Sequence, residues 1–265
     1  MRRTRCLAIP LSVPMSSMPP MAPTSPSVQQ PLILLVPGYW LGAWAWDEVV
    51  DNLNAVKVLA TALTLPGLDP EDTQRTTRTL DDQADAISAI LDEMGGDVVL
   101  VGHSGANGPV SLAVDRHPEL VRRVVWVDSG PMSDGRAFAP DLPEAVAELP
   151  LPDFDILGQE ASLEGLSNEQ RDRFRTKAVP EPAGVARARV ELSNDARHDV
   201  PTTLICCSIP SSQVLELAAT GHPMFSAVAQ LTNVTVMDLP TGHWPMWSRP
   251  QELAGAIREA ATSIP

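Results

Sequence analysis

A chain of 265 residues with a formal net charge of −14 and a pI near 4.7 has a surface field that repels nucleic acids and anionic membranes. Its length is enough for one domain with a large core, and its hydrophobic fraction of 44% is typical of globular proteins. Since no run of residues is apolar and long enough to span a bilayer, we expect neither a nucleic-acid partner nor a membrane partner.

Residues 1–30 begin with basic side chains and then become rich in Pro, Ser and Met. Pro10 and Pro14 interrupt the short apolar stretch that a signal peptide would need, so we predict a disordered N-terminal extension, with a weak export signal as the alternative. The three cysteines show neither a disulfide framework nor metal-ligand spacing. We therefore expect no metal and a reducing, cytoplasmic environment.

Strands and helices alternate from residue 31 onwards. Residues 31–38 form an apolar run that ends in Pro-Gly, and 56–65 predict a second strand. A helix with a capping box is predicted over 80–94, followed by strands at 97–102 and 121–127. This alternation predicts the α/β class, with a mostly parallel sheet and helices on both of its faces.

Residues 132–200 change in character. They are first acidic and Pro-rich, show no strand pattern, and contain a capping box, Ser167 to Gln170, that opens a short charged helix. We predict that they form a mostly helical cap inserted into a domain of residues 31–265. The sheet then resumes with a strand predicted at 202–207, a helix at 214–230, a strand at 234–237 and a final helix from Ser248.

The segment Gly102-His-Ser-Gly-Ala106 joins a buried strand to the start of a helix. Small neighbours allow a sharp, strained turn that exposes the hydroxyl of Ser104. The N–H of Gly105 lies at the start of the following helix, where an unpaired donor can bind an oxyanion. A glycine-rich turn of this kind could also cradle a phosphate, but no Lys follows the serine and the spacing of phosphate-binding loops is absent. We predict that Ser104 is a nucleophile.

A serine nucleophile needs a base and an acid that orients the base. His243 follows the last predicted strand and therefore lies at the same edge of the sheet as Ser104. The acid usually follows the strand at 202–207, but no carboxylate occurs there before Glu216. We therefore predict Asp128, at the end of the strand 121–127, as the acid; its alternative role is that of a turn cap.

Together with Pro37-Gly-Tyr-Trp40 and Gly242-His243, these residues make residues 31–265 resemble the α/β-hydrolase superfamily. The Trp-rich segment 42–46 is similar to that of small esterases and hydroxynitrile-lyase-like members. In those members the loop usually begins with His-Gly, where this chain has Pro37-Gly38. Haloalkane dehalogenases and certain lactonases place the acid as proposed here. Dehalogenases use an aspartate nucleophile, however, so Ser104 argues against that activity.

The resemblance implies an α/β-hydrolase fold, a backbone oxyanion hole made by Tyr39 and Gly105, and catalysis without a cofactor. The expected partner is a small-molecule substrate, a fairly apolar ester or lactone cleaved through an acyl-enzyme on Ser104. Trp40 and Trp244 lie in the two segments that flank the predicted site, and we predict that they line the pocket. The alternatives are hydroxynitrile lyase or cofactor-free dioxygenase chemistry, or ligand binding without catalysis.

Overall fold

The computed structural model of the chain describes residues 31–263, so the predicted N-terminal extension, residues 1–30, lies outside them. The strands of the described residues are β1 (Leu32–Val36), β2 (Ala60–Ala62), β3 (Val98–His103), β4 (Val121–Val127), β5 (Glu148–Leu149), β6 (Glu181–Pro182), β7 (Thr202–Cys206) and β8 (Val234–Asp238). The helices are α1 (Asp47–Ala55), α2 (Leu80–Glu93), α3 (Asn107–Arg116), α4 (Phe154–Glu160), α5 (Asn168–Lys177), α6 (Ala183–Arg187), α7 (Ser211–Ala219), α8 (Pro245–Ser248) and α9 (Pro250–Thr262).

Six of the strands form one parallel sheet in the order β2-β1-β3-β4-β7-β8, which confirms the predicted fold class. Every residue of β3 is buried, as expected for a central parallel strand covered on both faces. The register pairs His103 with Val127 and Val127 with Ile205. The carboxyl ends of β3, β4 and β7 therefore lie side by side at one edge of the sheet.

Two apolar cores fill the space between the sheet and its helices. On one face, α1 and α9 bury Leu53 and Ile257 against β1, and on the other, α2 and α3 bury Leu91 and Val110 against β3. Alternation along a strand sends neighbouring side chains to opposite faces. Cys206 and Cys207, at the end of β7, accordingly lie in different cores.

Both predicted capping boxes are present, at Thr79 for α2 and at Ser167 for α5. The helix predicted over 214–230 is wrong in extent, because α7 ends at Ala219 and Gly221 then takes a positive φ of 74°. The strand predicted over 56–65 is also shorter than expected. It contains only the three residues of β2, since a turn with Lys57 at φ 64° follows α1.

The segment 132–200, predicted as a mostly helical cap, contains α4, α5 and α6 together with the antiparallel pair β5–β6. We call the pair β5 and β6 the cap hairpin, although α4 and α5, and not a tight turn, lie between its two strands. Each of its strands has two residues, which is too short to produce a periodic sequence pattern and explains why the sequence predicted no strand there. No helix among residues 31–263 has the length and apolar character needed to cross a membrane.

Candidate active site

Ser104 lies at the turn between β3 and the helical segment that continues into α3. Its φ of 50° is in the left-handed region, which confirms the strained elbow predicted from the small residues around it. Gly38 packs directly against this turn: a Cβ atom on it would lie 2.9 Å from Ser104 Cβ and 2.8 Å from the carbonyl oxygen of His103. A glycine at position 38 is therefore needed for the loop after β1 to reach the elbow.

The imidazole of His243 connects the two other predicted catalytic residues. Its Nε2 lies 2.8 Å from Ser104 Oγ, and its Nδ1 lies 2.6 Å from Asp128 Oδ2. The side chains of His243 and Asp128 are 15% and 5% exposed, so water screens their interaction little. The structure thus brings together residues from the ends of β3 and β4 and from the loop after β8.

Asp128 reaches across to the end of β7. Its Oδ1 accepts the backbone N–H groups of Cys207 and Ser208 at 3.0 and 2.8 Å, and its Oδ2 accepts the hydroxyl of Ser208 at 2.6 Å. Burial alone would raise the pKa of Asp128, but the hydrogen bond and charge of His243 and the bonds from Ser208 lower it to about 2. The carboxylate is therefore ionised at neutral pH.

Ser208 is a residue of the site that the sequence did not identify. It follows β7, where the acid usually stands in this fold. Because that loop has no carboxylate, no sequence pattern pointed to a role for Ser208. The available signal is the strand order, because β7 is the neighbour of β4 and its first loop residues must lie beside Asp128.

His103, inside the elbow, supports the loop that carries the predicted base. Its ring is 1% exposed, and its Nε2 donates to the carbonyl oxygen of His243 at 2.7 Å. Burial lowers the pKa of His103 to about 3, so this ring is neutral. From the other side, the N–H of His243 donates to the carbonyl oxygen of Ser162 in the cap at 2.8 Å.

Gly38 and the ring of Tyr39 lie directly against Gly105. A Cβ atom on Gly38 would lie 3.1 Å from the nitrogen of Gly105, and a Cβ on Gly105 would lie 2.5 Å from the ring of Tyr39. The two predicted oxyanion-hole residues are therefore in contact, although their role as donors remains a prediction. Burial raises the pKa of the Tyr39 hydroxyl well above its usual value, so this group is neutral.

The two tryptophans predicted to bind substrate have structural contacts. The indole N–H of Trp40 donates to the carbonyl oxygen of Leu149 in the cap hairpin at 2.9 Å. Trp244 is 3% exposed and packs edge-on against the ring of His243, with the ring centroids 4.9 Å apart. Substrate contact by Trp40 and Trp244 stays a prediction. Among residues 31–263, no group of three or more His, Cys, Asp or Glu side chains is arranged to hold a metal ion.

Comparison with known proteins places this geometry in a family. The model of the alpha/beta hydrolase family matches residues 33–256. Methylesterase 4 of Arabidopsis thaliana is 32% identical over 112 residues, which cover 41% of this chain and 40% of that protein. Methylesterase 7 of the same plant is 24% identical over 265 aligned positions, covering 88% of this chain and 96% of the relative.

Among solved structures, an extracellular alpha/beta-hydrolase from a Paenibacillus species has the same fold, with a TM-score of 0.69 and 17% sequence identity. The match covers 88% of this chain and 100% of that one, which is described as sharing structural and functional homology with tobacco salicylic acid binding protein 2. The family model covers most of the described residues, including Ser104, Asp128 and His243. The chain therefore belongs to the alpha/beta hydrolase family.

Proposed function

We propose that this protein is a serine carboxylesterase that cleaves small, fairly apolar esters or lactones through an acyl-enzyme on Ser104. The observation that carries the proposal is the single imidazole of His243, which lies 2.8 Å from Ser104 Oγ and 2.6 Å from Asp128 Oδ2. This is the arrangement that activates a serine hydroxyl as a nucleophile. Because several relatives are methylesterases, methyl esters are the first substrate class to test.

In the first step, Ser104 Oγ attacks the ester carbonyl carbon while His243 Nε2 accepts the hydroxyl proton. The ionised carboxylate of Asp128 accepts a hydrogen bond from Nδ1–H, which holds the ring in the tautomer whose Nε2 is free to act as a base. The imidazolium then donates its proton to the departing alcohol. Ester cleavage leaves the acyl group on Ser104.

In the second step, water replaces the alcohol. His243 Nε2 accepts a proton from the water as its oxygen attacks the acyl carbon, and the proton then returns to Ser104 Oγ as the carboxylic acid leaves. In both steps negative charge develops on the carbonyl oxygen. We assign its stabilisation to the backbone N–H groups of Tyr39 and Gly105, where each donor contributes about 3 to 4 kcal/mol in enzymes of this type.

The first test is hydrolysis of p-nitrophenyl acetate and butyrate by the purified protein and by its Ser104→Ala variant. We expect the variant to lose activity by a factor of about 10³ or more. A fluorophosphonate probe, which reacts with activated serines, should label the wild-type protein and not the variant. Equal turnover by the two proteins would contradict the proposal.

A second assay separates the hydrolase from the other chemistries that this fold supports. Methyl esters, aryl esters and lactones of similar size are compared by the acid that they release, while cyanide release and oxygen consumption are measured in parallel on a cyanohydrin and an aromatic substrate. Ester turnover with neither cyanide release nor oxygen uptake is the expected result. A protein that binds these ligands but is not labelled by the fluorophosphonate would be a binding member of the family.

A further inference from the structure

The two central strands β3 and β4 end at the same level of the sheet and turn in the same way. Their register pairs His103 with Val127, the last residue of each strand. The residues that follow, Ser104 and Asp128, both have a left-handed backbone, with φ of 50° and 44°. Residues other than glycine rarely adopt this region, so the surrounding structure must hold both turns.

The turn at Asp128 is held by β7. The N–H of Asp128 donates to the carbonyl oxygen of Ile205 at 2.8 Å, and its carboxylate accepts bonds from Cys207 and Ser208. Both the backbone and the side chain of Asp128 therefore have fixed partners. The next residue, Ser129, leaves the sheet from a well-defined position.

Ser129 lies beside the elbow. Its hydroxyl donates to the carbonyl oxygen of Ser104 at 3.1 Å, and the same oxygen accepts the backbone N–H of Asn107 in the turn that leads into α3. A carbonyl oxygen has two lone pairs, so these two donors satisfy it. The bond from Asn107 belongs to the helical turn itself, whereas the bond from Ser129 ties the elbow to the neighbouring strand end.

The carbonyl of Ser104 and the N–H of Gly105 belong to one peptide group. This peptide is trans, and in a planar trans peptide the C=O and the N–H point in opposite directions. A bond that fixes the direction of the Ser104 carbonyl therefore also fixes the direction of the Gly105 N–H. That N–H is one of the two donors that we assign to the oxyanion hole.

We propose that Ser129 is a positioning residue of the oxyanion hole: its hydroxyl holds the peptide between Ser104 and Gly105 and thereby directs the Gly105 N–H at the reacting oxygen. This inference rests on the proposed esterase function. The hydroxyl also polarises the peptide, because a hydrogen bond accepted by the carbonyl strengthens the N–H of the same group as a donor. In this role Ser129 acts through the elbow and needs no contact with the substrate.

The test compares Ser129→Ala, which removes the hydroxyl, with Ser129→Thr, which keeps it. The control is Ser133→Ala in the same segment after β4, where the hydroxyl lies 3.0 Å from that of Ser226. Fluorophosphonate titration counts the active sites, so that kcat refers to folded enzyme.

We expect Ser129→Ala to lower kcat for p-nitrophenyl butyrate about 3- to 10-fold, which corresponds to the loss of one hydrogen bond. KM should stay nearly constant, because a misdirected donor weakens transition-state binding alone. Ser129→Thr should stay within about 2-fold of the wild type, since it retains the bond. Ser133→Ala should leave kcat unchanged.

Two further readouts distinguish the positioning of a donor from other effects. The inhibition constant of a trifluoromethyl ketone, which forms a tetrahedral adduct with the serine, should rise in Ser129→Ala by the factor by which kcat/KM falls. The pH dependence of kcat/KM should keep its wild-type midpoint, because the carboxylate of Asp128 retains its bonds to His243 and Ser208. A shifted midpoint would show that Ser129 acts through the acid and the base, and would overturn the inference.

A third readout needs no substrate. The 15N chemical shift of an amide responds to the hydrogen bonds that the carbonyl of its own peptide accepts. In NMR spectra of 15N-labelled protein, the Gly105 resonance should therefore move in Ser129→Ala and stay in place in Ser133→Ala.

Wild-type kcat and an unmoved Gly105 resonance in Ser129→Ala would overturn the inference and leave the proposed function standing. Equal kcat in Ser129→Ala and Ser129→Thr would also overturn it, because the hydroxyl would then have no part in the effect. A wild-type protein with neither ester turnover nor fluorophosphonate labelling would overturn the proposed function. The Gly105 resonance would still show whether Ser129 holds the elbow peptide.

Discussion

The elbow and the cap hairpin contribute to the same site in different ways. The elbow, Gly102–Ala106, is contiguous in sequence, follows a buried strand and places Ser104 by local backbone geometry. The cap hairpin pairs residues 148–149 with residues 181–182, and its two strands are separated by two helices. Its bond to Trp40, which the indole N–H donates to Leu149, bridges more than 100 positions of the chain.

The two regions should therefore differ in how they tolerate substitution. The strand order places Ser104, His243 and Asp128 at one edge of the sheet, so their relative positions depend on the core. The loop after β1 packs on the elbow and is held in addition by the cap, through the bonds of Trp40 to Leu149 and Val179. Substitutions at the sheet edge should therefore affect the chemical step most strongly, while substitutions at the contact between the cap and the loop should affect alignment and stability.

The largest effect is expected from Asp128→Asn. An amide cannot hold the imidazole in its reactive tautomer or stabilise the imidazolium, so kcat for p-nitrophenyl butyrate should fall by about 10³- to 10⁴-fold. Asp238→Asn is the matched control, since Asp238 ends β8 and accepts bonds from Ser211 at 2.7 and 2.8 Å, while His243 Nδ1 bonds to Asp128. Near-normal activity in Asp128→Asn, with loss of activity in Asp238→Asn or Glu216→Gln, would show that the acid was misassigned.

A smaller effect is expected from Gly105→Ala. Its Cβ would lie 2.5 Å from the ring of Tyr39, so the elbow and the loop after β1 must move apart. If both supply oxyanion donors, kcat should fall by about 10²-fold with little change in KM. Gly255→Ala in α9, where a Cβ meets nothing within 4 Å, is the control and should leave kcat unchanged. Equal kcat in the two variants would argue against the assigned oxyanion hole.

The smallest effect on activity is expected from Glu181→Gln, whose main consequence is for stability. Burial raises the pKa of Glu181 from 4.5 to about 8, so the wild-type protein loses stability as the pH rises from about 4.5 to about 8, where the unfolded chain ionises first. At pH 7 the free energy of unfolding of the Glu181→Gln variant should therefore be about 3 kcal/mol higher than that of the wild type. This difference should vanish near pH 4.5.

Urea unfolding at the two pH values measures this difference. Glu148 lies in the same cap hairpin, and its side chain is 29% exposed. Glu148→Gln should therefore change the free energy of unfolding by less than about 1 kcal/mol. A Glu181→Gln variant that is no more stable than the wild type at pH 7 would show that Glu181 is ionised in the folded protein.

Much of the site was predictable because it follows from the order of elements along the chain. An apolar run followed by Gly-His-Ser-Gly-Ala predicts a strand and an elbow, and Ser104 adopts the strained backbone that the pattern indicates. The absence of a carboxylate after β7 directed the assignment to Asp128, which lies 2.6 Å from His243. Periodicity likewise predicted α2 and its capping box correctly.

Glu181 shows why the remainder was not predictable. In sequence it is one acid between two prolines in a segment without periodicity, a pattern as typical of an exposed loop as of a buried site. Only the tertiary structure buries it beside Gln83 of α2, because the pairing of two-residue strands depends on long-range packing and leaves no local signal. Ser208 was missed for a related reason, since its role depends on β7 lying beside β4.

The fold class, the elbow and the strand ends that carry the polar residues of the site follow from the amino-acid sequence. These features arise from short-range patterns: apolar strands, small residues at a sharp turn, and side chains at carboxyl termini. The tertiary structure alone decided which groups hold those residues in place, including Ser208 at Asp128, His103 at His243 and the cap hairpin at Trp40. Such contacts depend on distances across the folded chain, which no local pattern encodes.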